Sequence, residues 1–424
     1  MNHGDVVEVK TAGKTFKGTY MPSSDSATIV LKLDSGYNIG IDVKKVKSKK
    51  VVKKHKVTAV KQKPVKQKKG LKKIVILHTG GTVASKVDYE TGAVSAKFDP
   101  EELLAMFPEL KKVVNISSRL IRNMMSDDMR FAHYNIMAKE IEKEIKKGVD
   151  GIIITQGTDT LHYSSAALSF VLDGLNVPVL FVGAQRSSDR GSSDAAMNLI
   201  CASHFIASTS YNGVGICMHK NSSDDKCVII NGVKARKLHT SRRDAFRVVN
   251  DEPLAEVDYK TGSVKLLRSL PSADRKLKLK LFKEDLKVGM CYAHPNMFVS
   301  ELNAYSGYDG LVLIGTGLGH FPINEIDNLT KEHKKIFSSL KKLCSKMPVV
   351  MAPQTIYGRI DMNVYSPGRT LIDIGVLGNL LDMVLEVAFV KLGWLLSNYP
   401  KDVSVMYGQD LRGEISSRST VEFE

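Results

Sequence analysis

The five cysteines (Cys201, Cys217, Cys227, Cys291 and Cys344) are odd in number, and no two are spaced as CxxC. That pattern disfavours a disulfide framework and a cysteine zinc site, and it suits reduced thiols in a cytosol. Long apolar runs are also missing. The longest, Leu377 to Leu396, is interrupted by Asp382, Glu386 and Lys391, so it reads as a core helix and not as a membrane span. The opening MNHGDVVEVK lacks the apolar core of a secretory signal. No GxxxxGKS or GxxxxGKT stretch occurs, so a phosphate-binding loop for ATP is not expected in this chain. Acid is absent where base is densest. Lys44 to Lys73 holds fifteen lysines and no acidic residue, while the whole chain carries +16. Nearly all the excess charge therefore belongs to one segment and not to the body of the chain.

What is present is a globular composition. At 424 residues, 43% hydrophobic and 25% charged, the chain has room for two or three cores. Residues 1–47 read as a small all-β unit. Val6–Val9, Thr15–Tyr20, Ala27–Leu33 and Tyr37–Ile41 are short β-rich runs separated by turn residues. This spacing predicts a barrel of SH3 or OB type, a module for protein docking or for nucleic acid. Residues 48–72 follow as a lysine-rich linker, punctuated by Pro64 and Gly70, with no aromatic ring beyond His55. The linker is either a solvated charge run or a strip that lies on a phosphate backbone. Without interleaved aromatics, base stacking is not expected of it.

Residues 73–272 alternate strands and helices, which predicts a doubly wound α/β layer. The strands are Ile74–Leu77, Gly151–Thr155, Val177–Val182 and Val214–Met218. The helices are Leu103–Phe107, Arg130–Lys147, Leu161–Leu172 and Ala195–Ala207. Residues 273–287 are polar and read as a connector. A smaller α/β domain spans 288–424, with strands at Val288–Tyr292, Gly310–Ile314 and Pro348–Met351. Its helices are expected at Asn328–Met347 and Gly378–Leu396, and a polar tail runs from Val403.

Two strands end in glycine flanked by hydroxyls. The first runs into His78-Thr79-Gly80-Gly81-Thr82, with Thr79 and Thr82 expected at the mouth of the turn. The second runs into Gln156-Gly157-Thr158-Asp159-Thr160. Open α/β sheets bind ligands at the carboxyl ends of their strands, and paired glycines let backbone N–H groups approach closely. Each motif has a plainer reading, a simple turn for the first and a helix N-cap for the second. The third strand ends in Gly183-Ala184-Gln185-Arg186, where Arg186 reads as a tether. Lys237 sits in a basic run and is surface decoration unless its proton can be relayed or lost.

Taken together, HTGGTVAS, QGTDTLHYSSAALSF, VPVLFVGAQR and KARKLHTS resemble the type I/II L-asparaginase family, in this order and on these elements. The resemblance covers Lys73 to the C-terminus and implies two domains with doubly wound parallel sheets. The β-unit and basic stretch in front resemble the D-subunit family of archaeal glutamyl-tRNA(Gln) amidotransferases, as does the run into Arg242-Arg243-Asp244-Ala245-Phe246. The resemblance implies Thr82 as nucleophile, Thr158 as second hydroxyl with Asp159 as its carboxylate, and Lys237 completing the cluster. Ser126 and Asp127 match a segment that binds the substrate's α-carboxylate and amine. Tyr89 is a lid candidate. Asn296 matches a residue that reaches a neighbouring subunit's site, which implies a homodimer, and His320 reads as structural.

The implied function is a glutaminase. It would release ammonia from glutamine for a partner, an E-type subunit that binds Glu-tRNA(Gln) and activates it with ATP and Mg. This chain itself needs no cofactor or metal. A cytoplasmic heterotetramer without membrane contact is expected. Two rivals stay open: a free-standing L-asparaginase with an accessory domain, and a tRNA-binding scaffold with a vestigial amidase site.

Overall fold

The computed structural model describes the chain except residues 3, 24, 35–37, 55–66, 82–84, 88–93, 97–103, 105–106, 187–191, 272–275 and 420–424, and except the side chains of 85–87 and 94–96. The front unit is one antiparallel sheet built from β1 (Val6–Thr11), β2 (Thr15–Met21), β3 (Thr28–Lys32), β4 (Asn38–Asp42) and β5 (Val46–Lys53). Its order is β4-β3-β2-β1-β5, with no ladder between β4 and β5 among the described residues. Alternate residues Val7, Val9, Ile29, Leu31 and Ile41 form its core. The fifth strand corrects the expected boundary, because residues 48–53 belong to the sheet and not to a linker. Val46 and Val51 supply the reason, since both pack against that core. The remainder of the linker lies largely outside the described residues.

The large domain is an eight-stranded sheet. It contains β6 (Lys73–His78), β9 (Asn115–Leu120), β10 (Gly151–Thr155), β12 (Val179–Val182), β13 (Val214–His219), β14 (Lys226–Asn231), β17 (Ala255–Asp258) and β18 (Val264–Leu266). Its order is β18-β17-β14-β13-β12-β10-β6-β9. Five strands, β13 to β9 in that order, are parallel, and β14, β17 and β18 extend the sheet antiparallel. The sheet is thus mixed where a parallel one was expected. Smaller pieces are β7 (Ser85–Val87) with β8 (Val94–Ala96), β15 (Ala235–Lys237) with β16 (Phe246–Val248), and β11 (Leu172–Asp173) with β19 (Lys278–Leu279). That last pair turns part of the expected connector into sheet.

Helices cover both faces, which explains why the central strands are apolar without alternation. Ile74, Ile76 and Ile153 face α1 (Leu110–Val113) and α4 (Ala195–Ser208). Val75, Leu77, Ile152 and Ile154 face α2 (Phe131–Lys146) and α3 (Leu161–Val171). The expected helix at Leu103–Phe107 lies mostly outside the described residues.

The small domain is a parallel sheet of β20 (Val288–Tyr292), β21 (Gly310–Gly315) and β22 (Val349–Pro353). Its helices are α5 (Val299–Asn303), α6 (Lys331–Cys344), α7 (Ser366–Asp373), α8 (Leu385–Asn398) and α9 (Val403–Met406). The α8 residues pack in one cluster with Val312 and Ile314 of β21 and with Leu168 and Phe170 of α3. One helix therefore serves both domains. Residues 378–384, expected as its first turns, are not helical. Gly378 (φ +98°) and Leu380 (φ +62°) are left-handed, and Leu377 bridges to Val350 at the sheet edge.

Candidate active site

β6 and β10 are neighbours, with Thr155 opposite His78. From β6 the chain goes to β9 on one side, and from β10 to β12 on the other. The gap between their carboxyl ends is a topological switch point, where open α/β sheets form crevices. The turns meet there because of two glycines. Gly80 and Gly81 have φ +117° and +85°, and a Cβ on them would lie 2.3 Å from the Met124 carbonyl oxygen and 2.6 Å from the Gly157 nitrogen. Only glycine permits both the left-handed backbone and the approach. Thr79 is scaffold, contrary to expectation. Its N–H and its hydroxyl each donate to the Thr155 carbonyl at 3.0 Å. His78 is buried with Nδ1 2.6 Å from Thr155 Oγ1, and burial pushes its pKa down to about 3. A neutral imidazole at working pH makes it a support and not an acid.

The switch point holds three of the expected residues in contact. Lys237 Nζ donates to Thr158 Oγ1 at 2.8 Å and to Asp159 Oδ1 at 2.7 Å. The lysine side chain is 9% exposed and the Asp159 side chain 56%, so the carboxylate forms the wet rim of a nearly buried amino group. Since Lys237 donates to Oγ1, the Thr158 hydroxyl hydrogen is free to point elsewhere. Its one described acceptor is Gln185 Oε1, at a long 3.5 Å. Gln185 was not singled out from the sequence, although GAQR directly after a strand end was the signal. Its backbone N–H and that of Arg186 donate to the buried Asp194 carboxylate at 3.0 Å. The Gln185 Nε2 is buried without a partner among the described residues.

Ser126 is brought to the same place. It is buried in a short turn, Ser126–Asp128, and its carbonyl accepts from Thr160 Oγ1 at 2.5 Å. A Cβ on Gly157 would lie 3.1 Å from Ser126 Oγ. Asp127, beside it, is exposed. Thr82 and Tyr89 lie outside the described residues. Asn296 sits exposed on the small domain with φ +60° and no hydrogen bond to the cluster. His320 packs edge-on to Tyr365, 5.3 Å between ring centres. Among the described residues no group of three His, Cys, Asp or Glu side chains is disposed to hold a metal ion. A cleft of about 750 Å³ opens at the amino end of β13, lined by Asp173, Tyr211, Arg268 and Arg412, and contains none of the site residues.

A buried carboxylate ties the cluster to the small domain. Glu386, in the first turn of α8, lies 3.1 Å from Arg236 Nε and 3.6 Å from His162 Nε2. Burial works to raise its pKa and is outweighed by the His162 hydrogen bond and the charges of His162 and Arg236, which hold it below the ordinary range. Arg236 immediately precedes Lys237, and His162 follows Asp159 by three residues. Glu386 thus grips both segments that carry the cluster.

Three family models match the chain: "GatD N-terminal domain" over residues 1–52, "Asparaginase, N-terminal" over 73–271, and "Glutaminase/Asparaginase C-terminal domain" over 287–405. The chain is 41% identical to the glutamyl-tRNA(Gln) amidotransferase D subunit of Methanococcus maripaludis over 100% of both chains. The chain belongs to the D-subunit family of glutamyl-tRNA(Gln) amidotransferases. The corresponding D subunit of Archaeoglobus fulgidus is 41% identical over 97% of this chain and 95% of its own. Among solved structures, the thermostable L-asparaginase from Thermococcus kodakarensis superposes with a TM-score of 0.71 at 27% identity. It covers 82% of this chain and 100% of its own. L-asparaginase I from Vibrio cholerae gives 0.70 at 26%, with the same coverage. In this D-subunit family member the front match reaches residue 52, in agreement with β5 as part of the front unit.

Proposed function

We propose that the chain is the glutamine-hydrolysing subunit of a tRNA-dependent amidotransferase. The observation that carries the reading is the Lys237–Thr158–Asp159 contact set at the switch point, in a chain whose full-length relatives are named as such subunits. Thr82, bonded to Gly81 beside Gly157, is the nucleophile. Its hydroxyl oxygen attacks the side-chain amide carbon of glutamine, and its proton passes to Thr158 Oγ1 while the Thr158 hydroxyl turns its own hydrogen to Lys237 Nζ, which must be neutral and accept where it otherwise donates. Among the described residues the N–H groups of Gly157, Thr158 and Asp159 have no acceptor, so they are donors for the developing oxyanion. The amide nitrogen takes a proton and leaves as ammonia. Water then cleaves the threonyl ester to glutamate. Ser126 and Asp127 hold the substrate's α-carboxylate and amine, Tyr89 closes the site, and Asn296 serves a neighbouring copy.

The ammonia is used by a partner, the E-type subunit, which activates Glu-tRNA(Gln) with ATP and Mg. A homodimer of this chain within a cytoplasmic heterotetramer completes the reading. Among the described residues no helix is long and apolar enough to cross a membrane. Ammonia release from glutamine and from asparagine tests it, with the chain alone and with partner and Glu-tRNA(Gln). Glutamine hydrolysis stimulated by both, and lost in Thr82→Ala, is expected. Strong asparagine hydrolysis indifferent to tRNA would make the chain a free-standing asparaginase instead.

A further inference from the structure

The lysine-rich segment has a defined shape over its first part. Lys44, Lys45, Lys47, Lys49, Lys50, Lys53 and Lys54 are all exposed, and most lie on β5. Among the described residues β5 ends the front sheet, paired to β1 on one side only. Among the described residues none of the seven joins an ion pair. The acids beside them are Glu8, opposite Lys50 and 3.8 Å from Lys10, and Asp42, whose side chain accepts from the Lys44 backbone N–H at 2.9 Å. At about 3.3 Å per residue the strand spreads its charges, Lys47 to Lys53, along roughly 20 Å. Residues 43–54 consist solely of valine, lysine and serine.

That composition selects among partners. Protein interfaces are depleted in lysine and enriched in aromatic residues, methionine and arginine. The edge has the opposite character. Lysine ammonium groups bind phosphate as point charges. Without aromatic rings there is no platform for base stacking, so contact would be to the backbone and independent of sequence. The free ladder edge explains how so many like charges fit side by side, because lysine is also what keeps an edge strand from pairing with another sheet.

We propose that the outer edge of β5 is a docking surface for the phosphate backbone of RNA, which under the proposed function is the tRNA. The inference rests on that function for the identity of the RNA, and on the structure for the surface. The test uses the full chain with its partner subunit and a fluorescent tRNA(Gln) transcript, with affinity measured between 50 and 200 mM salt. The combined variant Lys47→Gln, Lys49→Gln, Lys50→Gln and Lys53→Gln is compared with wild type. A control variant removes Lys331, Lys334, Lys341 and Lys342 of α6.

Four lost phosphate contacts should reduce the slope of log affinity against log salt by about 3. The wild type then loses roughly sixty-fold more affinity than the variant across that range, while the control keeps the wild-type slope. An unchanged slope in the β5 variant overturns the proposal. So does an unchanged slope with loss of the partner subunit in sedimentation, which would make the edge a protein contact. Ammonia release from glutamine with Glu-tRNA(Gln) present is measured on the same wild-type protein and partner. Its absence would sink the glutaminase reading without touching the slope.

Discussion

Lys237 shares one amino group between two oxygens, and that decides what each residue contributes. Replacing it with Met removes the partner of Thr158 and Asp159 without shortening the side chain much. Glutamine hydrolysis should fall by about 10²–10⁴-fold, the usual reach of a proton-transfer group, with an unchanged circular dichroism spectrum. Thr158→Val should do the same. Ammonia-release rates check both, and activity within threefold of wild type would remove them from the mechanism. Gly81 makes a different prediction. An alanine there needs φ +85° and drives its Cβ against the Gly157 nitrogen. Gly81→Ala should cost about 1–3 kcal/mol, read by urea unfolding, and should lower ammonia release because the two turns no longer meet.

At the scale of elements, the site depends on how β15 and α3 are held. Both are gripped by Glu386, whose charge is favoured by the amino end of α8 and by Arg236. Glu386→Ala leaves Arg236 without its carboxylate. The expected loss of stability is about 2–4 kcal/mol, less than for a fully dry pair because Arg236 keeps some contact with water. The catalytic effect is expected in kcat more than in KM, since the variant moves Lys237 and leaves Ser126 and Asp127 alone. Unchanged kcat in folded protein would show that β15 holds its place without α8.

At the scale of the molecule, the polar tail closes the structure. Glu414 is fully buried and lies 2.6 Å from the buried Lys391 of α8. Arg412 reaches back to Asp173 and the Ser169 carbonyl of the large domain. Ser416 accepts from Lys234, itself 3.3 Å from Asp382. Burial works to raise the Glu414 pKa, and the charge and hydrogen bond of Lys391 outweigh it, so the carboxyl is held below its ordinary value. A depressed folded-state pKa means stabilisation fully present above the unfolded value, roughly 4.3, and lost as pH falls through the folded one. Asp410, raised by burial and by Glu414, works in the opposite sense as it ionises. The gap in melting temperature between wild type and Glu414→Gln should therefore be wide at pH 6 and shrink below about pH 4. A gap independent of pH would mean that the tail is held by packing alone.

The sequence by itself determined the strands and what lies at their ends. Runs such as Ile74–Leu77 and Gly151–Thr155 are legible because burial on both faces demands unbroken apolar residues. The glycines and hydroxyls after them are local chemistry written in consecutive letters. Thr158, Asp159 and Lys237 were legible as a set through resemblance, and the fold brings them within 2.8 Å. Only the tertiary structure decided matters of long range. Thr79 turned inward because Thr155 of the neighbouring strand offers a carbonyl. The antiparallel strands β17 and β18 are short and part polar, so their pairing depends on the sheet already beside them. Lys47 to Lys53 of the basic run became a strand because β1 offers an edge to pair with and Val46 and Val51 have a core to reach. Glu386, Gln185 and Glu414 acquired their roles from partners far away in the chain, which spacing along a sequence does not encode.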